Sequence, residues 1–329
     1  MATFLTTSRM DPALAQRIEA SVSGRTRKPG GPLLSPRLVA LVRIGLVLGI
    51  ALVGYAAVAA RRRDRQEIDR TRASLLAAVQ AQAASLTAEE RGAVVRADSW
   101  LVRFSGSYEG DLVAPELQAP GALKATLARP AIYVRGPLGS FVNPARIADA
   151  AATSSKDALL LCLMDPPASK VEKVLLGTVR TAYSGGAVLE ERTGNVRRLQ
   201  DAIVGLPLLM PAWSERVRTA DDPAELARLR RELEKAPLDR AKQAARANLL
   251  VVALDEPSDG GGPTELDGER AHAIRIGVVD LAASKVLLRM RKLVDPSWIS
   301  LAKKSEYASG LDSCGLAFEV HEAVRTSAK

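Results

Sequence analysis

The chain has 329 residues, with 46 Lys and Arg against 37 Asp and Glu, and so carries a formal net charge of +9. It has two cysteines, two histidines and 4% aromatic residues, and is therefore poor in the side chains that build metal centres and base-stacking surfaces. Residues 1–72 hold 13 basic and 5 acidic residues, whereas the remaining 33 basic and 32 acidic residues nearly cancel. A nucleic-acid-binding face needs clustered basic residues on a folded domain, so we expect no nucleic-acid partner.

Residues 1–37 are expected to form a disordered basic tail. The stretch 28–32 reads Lys-Pro-Gly-Gly-Pro, which is typical of a linker. Asp11 and Pro12 could begin a short helix over residues 12–20, because Asp is a favoured N-cap and Pro is favoured at the first helical position. A solvated tail is the simpler interpretation.

Residues 38–60 are predicted to form a transmembrane helix. Residues 44–60 are 17 consecutive uncharged residues, and Arg43 is the only charge between them and the apolar residues 38–42. A helix rises about 1.5 Å per residue, so about 20 apolar residues cross a bilayer core. The segment meets this length if the Arg43 side chain reaches the headgroups.

Two other interpretations of this run are weaker. A buried core helix normally carries polar residues on at least one side, and residues 44–60 carry no charge on any side. Residues 57–59, Ala-Val-Ala, fit the pattern of a signal-peptide cleavage site. Against cleavage, 43 residues precede the run and three arginines follow the site directly.

The charges beside the span leave its orientation nearly balanced. Five basic residues lie at positions 25–43 and six at positions 61–72, so the positive-inside rule decides nothing and, if anything, favours a cytoplasmic C-terminus. We favour a cytoplasmic N-terminus and an extracytoplasmic domain in the inner membrane of a bacterium, because the basic tail would otherwise have to cross the bilayer. The Arg-rich, Ala-rich composition suggests the bacterial source. The residues expected to contact lipid headgroups are Arg37, Arg43, Arg61, Arg62, Arg63 and Arg65.

A helical stalk is predicted over residues 61–86. Ile68, Leu75, Val79, Ala83 and Leu86 recur at helical spacing, and no Gly or Pro lies between Gly54 and Gly92. This stripe packs either on its own domain or against a second copy.

Gly45 and Gly49 form a GxxxG pattern inside the span. Two glycines four residues apart let two membrane helices approach closely. They are candidates for a helix-dimer face, although the pattern is also common by chance. The lipid bilayer and a protein partner, or self-association through span and stalk, are therefore the expected partners.

Residues 87–329 are expected to form one α+β domain with a mixed or mainly antiparallel sheet and packed helices. A split into two subdomains near residues 186–195 is the alternative. Strands are predicted at residues 100–104, 131–135, 157–164 and 249–254, with a hairpin of 273–280 and 285–293. Helices are predicted from capping signals and periodicity at residues 87–90, 143–151, 169–183, 195–204, 222–235, 238–247 and 312–326.

Cys162 and Cys314 are the only cysteines. A bridge between them would require an oxidising compartment and would stabilise the fold by about 4–5 kcal/mol on the chain-entropy model. The alternative is two separate buried thiols that act as small hydrophobic residues.

The histidines, the glycine-rich stretch and the carboxylates form no recognisable catalytic pattern in the sequence. His272 and His321 are both expected at the surface, and no metal-ligand spacing is present. The glycines at 260–262 precede Pro263 and an acidic stretch, so they lack the pattern of a phosphate-binding loop, and no cofactor is predicted. Asp165, at the end of the predicted strand 157–164, is a weak site candidate, and turn chemistry before Pro166 explains it better.

Three classes of function follow, in order of preference. The first is a membrane-anchored, non-enzymatic interaction or scaffold protein of the cell envelope. The second is an extracytoplasmic ligand-binding or sensor module that acts with a partner. An enzyme of unknown class is third, because no catalytic set is visible. A concave pocket with converging polar groups would favour the second class, and a flat apolar patch the first.

Overall fold

The structure is a computed structural model that describes residues 36–183, 191–257 and 271–327. The predicted tail helix at residues 12–20, the glycines at 260–262 with the acidic stretch that follows them, and residues 186–190 of the alternative domain split lie outside the described residues. The chain divides into two units, Met1–Glu67 and Ile68–Lys329. The second unit contains the whole described sheet.

Helix α1, Pro36–Ala83, contains the predicted span and most of the predicted stalk in one continuous helix. From Arg43 to Ala83 it is long and apolar enough to cross a membrane, and none of its most apolar 18-residue window is buried. Within the second unit its last turns are amphipathic, and Leu75 and Val79 are buried in the domain core. The stripe that could have been a dimer seam therefore packs on its own domain at these two positions.

Within the described ranges the chain forms twelve α-helices and six strands. The other helices are α2 Ala88–Arg91, α3 Ala93–Ser105, α4 Ala122–Leu127, α5 Ile147–Thr153, α6 Ala158–Met164, α7 Glu172–Tyr183, α8 Leu199–Gly205, α9 Pro211–Thr219, α10 Pro223–Lys235, α11 Leu238–Ala245 and α12 Leu301–Thr326. The strands are β1 Leu112–Val113, β2 Ala131–Pro137, β3 Val196–Arg198, β4 Leu249–Asp255, β5 His272–Asp280 and β6 Lys285–Val294.

The strands form one mixed sheet in the order β1-β6-β5-β4-β2-β3. The pairs β1–β6, β6–β5 and β5–β4 are antiparallel, whereas β2 is parallel to both β4 and β3. The α+β class and the mixed sheet are thus confirmed. The parallel half places the carboxyl ends of β2 and β4 side by side.

Helices cover both faces of the sheet, because the central strands are apolar on both sides. Alternate residues of β2 show this: Ile132 and Val134 pack with the end of α1 and with α3, α8, α9, α10 and α11. Ala131 and Tyr133 pack with α4, α6, α7 and α12 on the other face. Such near-continuous apolar strands are typical of sheets buried on both faces.

Two predicted strands are wrong. Residues 100–104 belong to α3, in which Ala93, Ala97, Leu101 and Phe104 recur at helical spacing along the buried face. Residues 157–164 form α6, which Asp157 caps by accepting a hydrogen bond from the Leu160 N–H. An eight-residue apolar run fits a buried strand and a buried helix equally well, and here its surroundings select the helix.

Several predicted helices have different bounds. The helix predicted at 143–151 opens with a 3-10 turn, Pro144–Arg146, so α5 begins only at Ile147, and the helix predicted at 169–183 begins at Glu172. The C-terminal helix begins at Leu301 and not near residue 312. The predicted helix at 195–204 begins only at Leu199, because Val196–Arg198 pairs with β2 as an edge strand.

Candidate functional site

A buried polar cluster lies where the parallel strands β2 and β4 end. Arg135 is near the carboxyl end of β2, and Asp255 is the last residue of β4. The register pairs Pro137 with Asp255, which brings both side chains to the same edge of the sheet. The carboxyl ends of parallel strands are where α/β proteins commonly place their sites.

The Arg135 guanidinium joins three elements. Its Nη1 donates to Asp157 Oδ2 and to Ser313 Oγ, both at 2.8 Å. Its Nε and Nη2 lie 3.4 Å from the two carboxylate oxygens of Asp255. The side chain is 11% exposed, so these are largely desolvated contacts. Arg135 therefore connects β2 to the start of α6, to the end of β4 and to α12.

Asp255 also contacts His272, the first residue of β5. His272 Nε2 lies 3.2 Å from Asp255 Oδ1, and the two side chains are 1% and 0% exposed. The prediction of a surface position for His272 is thus wrong. The reason is that His272 pairs with Val294 of β6 and its ring lies against Asp255 at the end of β4, so the strand entrance is buried as well.

Asp157 receives a hydrogen bond from Tyr133 as well as from Arg135. The buried Tyr133 hydroxyl donates to Asp157 Oδ1 at 2.9 Å. Burial raises the pKa of Tyr133 well above its usual value, and the Asp157 charge raises it further. The phenol therefore stays neutral and remains a donor.

The cluster is best explained as an ion-pair tie between secondary-structure elements. Burial opposes ionisation of Arg135, but the carboxylates of Asp255 and Asp157 outweigh it and raise the pKa of the guanidinium well above its usual value. Both carboxylates already satisfy the guanidinium, which leaves it poorly suited to capture an external anion. Removing one member would leave the others charged and buried, which is strongly unfavourable.

No protein family matches this chain, and neither the curated proteins nor the solved structures contain a significant match.

Cys162 and Cys314 form a disulfide that joins α6 to α12. Their Cα atoms are 5.2 Å apart across a sequence separation of 152, and both residues are fully buried. Cys314 follows Ser313 directly, so the covalent link and the Arg135 contact reach α12 at consecutive residues.

Asp165 does not join the buried cluster. It follows α6 with its side chain 55% exposed, and it accepts hydrogen bonds from Lys124 at 3.1 Å and from Arg192 at 2.7 Å. The Lys124 hydrogen bond lowers the pKa of Asp165, burial opposes this effect, and Arg192 lowers the pKa further. It forms a surface ion pair beside the helix end.

The predicted membrane-contact residues lie on α1. A side chain added at Gly45 or Gly49 would meet no described heavy atom within 4 Å, so both positions are open on the helix surface. Arg43, Arg61, Arg62, Arg63 and Arg65 are exposed, whereas the side chain of Arg37 lies outside the described residues. These positions satisfy the accessibility that helix pairing or headgroup contact would require.

Sequence reasoning missed Arg135, Asp157 and Asp255 as members of a cluster. One signal was present: Arg135 stands in an otherwise apolar strand, and Asp255 ends another. A charged residue in a strand buried on both faces needs a partner, so the two could have been paired had the order of the strands been known.

Proposed function

We propose that the chain is a single-pass membrane protein of the bacterial cell envelope. Its folded domain would act as a non-enzymatic interaction module on the extracytoplasmic side. The observation that carries the proposal is α1, whose apolar residues are exposed along the segment from Arg43. Water solvates such a surface poorly, whereas a bilayer core accommodates it.

The disulfide supports the extracytoplasmic placement of the domain. Disulfides persist in oxidising compartments and are rare in the bacterial cytosol. Cys162 and Cys314 are paired and buried in the domain that follows the span. With the domain outside, the basic N-terminal tail stays in the cytoplasm, in keeping with the cost of moving its arginines across the bilayer.

The ion-pair tie supports an interaction module over an enzyme. The charged groups at the usual site of α/β chemistry are the partners of one another and link α6, β4 and α12. Their arrangement stabilises the domain and presents no nucleophile paired with a base.

Cysteine labelling tests the topology directly, because the two native cysteines are paired in the disulfide and do not react with maleimide. Ala128→Cys introduces a thiol at an exposed position of the domain, and Ser8→Cys places a thiol in the N-terminal segment before the span. A membrane-impermeant maleimide should label Ala128→Cys in spheroplasts and Ser8→Cys only after lysis. The reverse pattern would refute the orientation, and recovery of the chain in the soluble fraction after carbonate washing would refute the anchor.

Self-association through the span is tested separately. If Gly45 and Gly49 form a helix-pairing face, then Gly45→Leu with Gly49→Leu should reduce amine-reactive cross-linking of the chain in native membranes. Gly54→Leu, which lies outside the four-residue spacing, is the matched control. Equal cross-linking in all three proteins would show that the glycine pair plays no part in self-association.

A further inference from the structure

A cavity of about 570 Å³ lies between the start of α4 and the last turns of α12. Its floor is formed by the buried side chains of Leu117, Leu123 and Val324, and its exposed apolar lining includes Ala119 and Pro120. Cavities that hold small molecules span about 300–1,000 Å³ and are mostly apolar with a few polar groups. The size and lining of this cavity match that class.

His321 supplies a polar group to the cavity. Its Nε2 lies 2.7 Å from the Leu163 carbonyl oxygen, which can only accept, so Nε2 carries the proton. Burial lowers the pKa of His321 and the Lys124 charge lowers it further, although the Leu163 hydrogen bond and Glu322 oppose these effects. The ring is therefore neutral near pH 7, and a nearby anion would favour its protonated form.

The rim of the cavity carries one excess positive charge. Lys124 and Arg192 share the single carboxylate of Asp165, while Arg325 is paired with Glu322 on the same helix. Lys124 and Arg325 are 60% and 72% exposed and line the cavity itself. The local balance of three cations and two carboxylates favours a ligand with a single negative charge.

We propose that this cavity binds a small monoanionic amphiphile, with its apolar part against Leu117, Leu123 and Val324 and its anionic group beside Lys124. The class is that of a medium-chain aliphatic carboxylate. This inference goes beyond the proposed interaction module and does not depend on the orientation of the chain in the membrane. It assigns the outer end of α12 a binding role in addition to its role in the core.

The two histidines of the chain provide a built-in test. The full-length protein is labelled with ¹³C-histidine in nanodiscs of zwitterionic lipid and titrated with octanoate, while NMR follows both rings. His321 lines the cavity, whereas His272 is buried beside Asp255 and serves as the reference. We expect a saturable shift of the His321 signal and a rise of its pKa, with the His272 signal unchanged.

Octylammonium and two pairs of variants test the charge and the place of binding. Octylammonium should leave the His321 signal unchanged, and Lys124→Gln should weaken octanoate binding about tenfold, the usual effect of losing a charged hydrogen bond. Ala119→Trp fills the exposed mouth of the cavity and should abolish the shift. Ala128→Trp, on an exposed alanine outside the cavity, should not.

Several results would overturn the proposal. An unchanged His321 signal, or equal movement of both histidines, would mean that the cavity does not bind the anion. An equal response to octylammonium, or unaltered affinity in Lys124→Gln, would refute the charge argument. Because every protein is compared in the same nanodiscs, partitioning of octanoate into the lipid affects all of them alike.

Discussion

Replacing Asp98 with Asn should stabilise the protein at neutral pH. Asp98 lies on α3, next to the buried residue Ala97, and its Oδ1 is buried without a hydrogen-bond partner among the described residues. This burial raises the pKa of Asp98 from 3.8 to about 6. The charged carboxylate is thus held in a position that favours the neutral acid.

The sign of the effect follows from proton binding. Because the pKa of Asp98 is higher in the folded state, the folded chain binds the proton more tightly than the unfolded chain. Its contribution is most favourable below about pH 4 and is lost as the pH rises through about 6. One pKa unit corresponds to about 1.4 kcal/mol, so the full shift would amount to about 3 kcal/mol. The side chain is half-buried, and solvent screening reduces this to about 1–2 kcal/mol.

The assay is urea unfolding of the full-length protein and Asp98→Asn at two pH values. At about pH 7.5 the variant should gain about 1–2 kcal/mol in the free energy of unfolding, whereas near pH 4 the two proteins should be nearly equal. Asp149→Asn, at an exposed position in the first turn of α5, should show no gain. A stabilisation of the same size at both pH values, or none at all, would refute the reasoning.

Two further substitutions test the packing of the domain. Arg135→Met should lower the free energy of unfolding by about 3–5 kcal/mol, because it removes the guanidinium that the largely buried carboxylates of Asp255 and Asp157 share. Arg218→Met, in an exposed ion pair, should cost less than about 1 kcal/mol; a similar loss for both would contradict the ion-pair tie. Gly277→Ala should destabilise by about 1–3 kcal/mol, because the new methyl group would overlap the Phe104 ring. Gly139→Ala is the control, because a methyl group there would meet no described atom within 4 Å. Calorimetry should give a lower Tm for Gly277→Ala than for Gly139→Ala. Equal Tm values would contradict the close contact between Gly277 and the Phe104 ring.

Elements with strong local end signals were predicted correctly from the sequence. Thr87 and Glu90 form the reciprocal hydrogen bonds of a capping box, and Asp222 caps α10 just before Pro223. The hairpin of β5 and β6 and the strand β4 also lie where their apolar runs placed them. The caps depend on residues two or three positions apart, and the strands are marked by continuous apolar runs, so a single sequence contains both signals.

The wrong assignments share a physical cause. Residues 100–104 and 157–164 are apolar runs whose neighbours in space, not in sequence, determine the conformation. Once Asp157 is read as an N-cap, the second run begins a helix naturally, but the same aspartate also fits the start of a strand. Short apolar runs stay ambiguous until the sheet that covers them is known.

The buried cluster shows the same limit for the site. Arg135, Asp157 and Asp255 are separated by up to 120 positions; the parallel pairing of β2 with β4 brings Asp255 to Arg135, and the packing of α6 on the sheet brings Asp157. The sequence marks Arg135 as a charge that needs a partner, but it holds no signal for which carboxylate fills that role. His272 was misplaced for the same reason, since its burial depends on both neighbouring strands.

Helix α12 carries both the residues that anchor it to the domain, Ser313 and Cys314, and a residue that lines the proposed binding cavity, His321. Ser313 binds Arg135, and Cys314 is bonded to Cys162, so adjacent residues fasten this helix to β2 and to α6. His321 lies seven residues further along the same helix, about two turns or 10 Å away. A site is precise when rigid elements hold its side chains. The two links therefore fix the wall of the cavity that contains His321, and the cluster contributes to binding by holding α12 against the sheet.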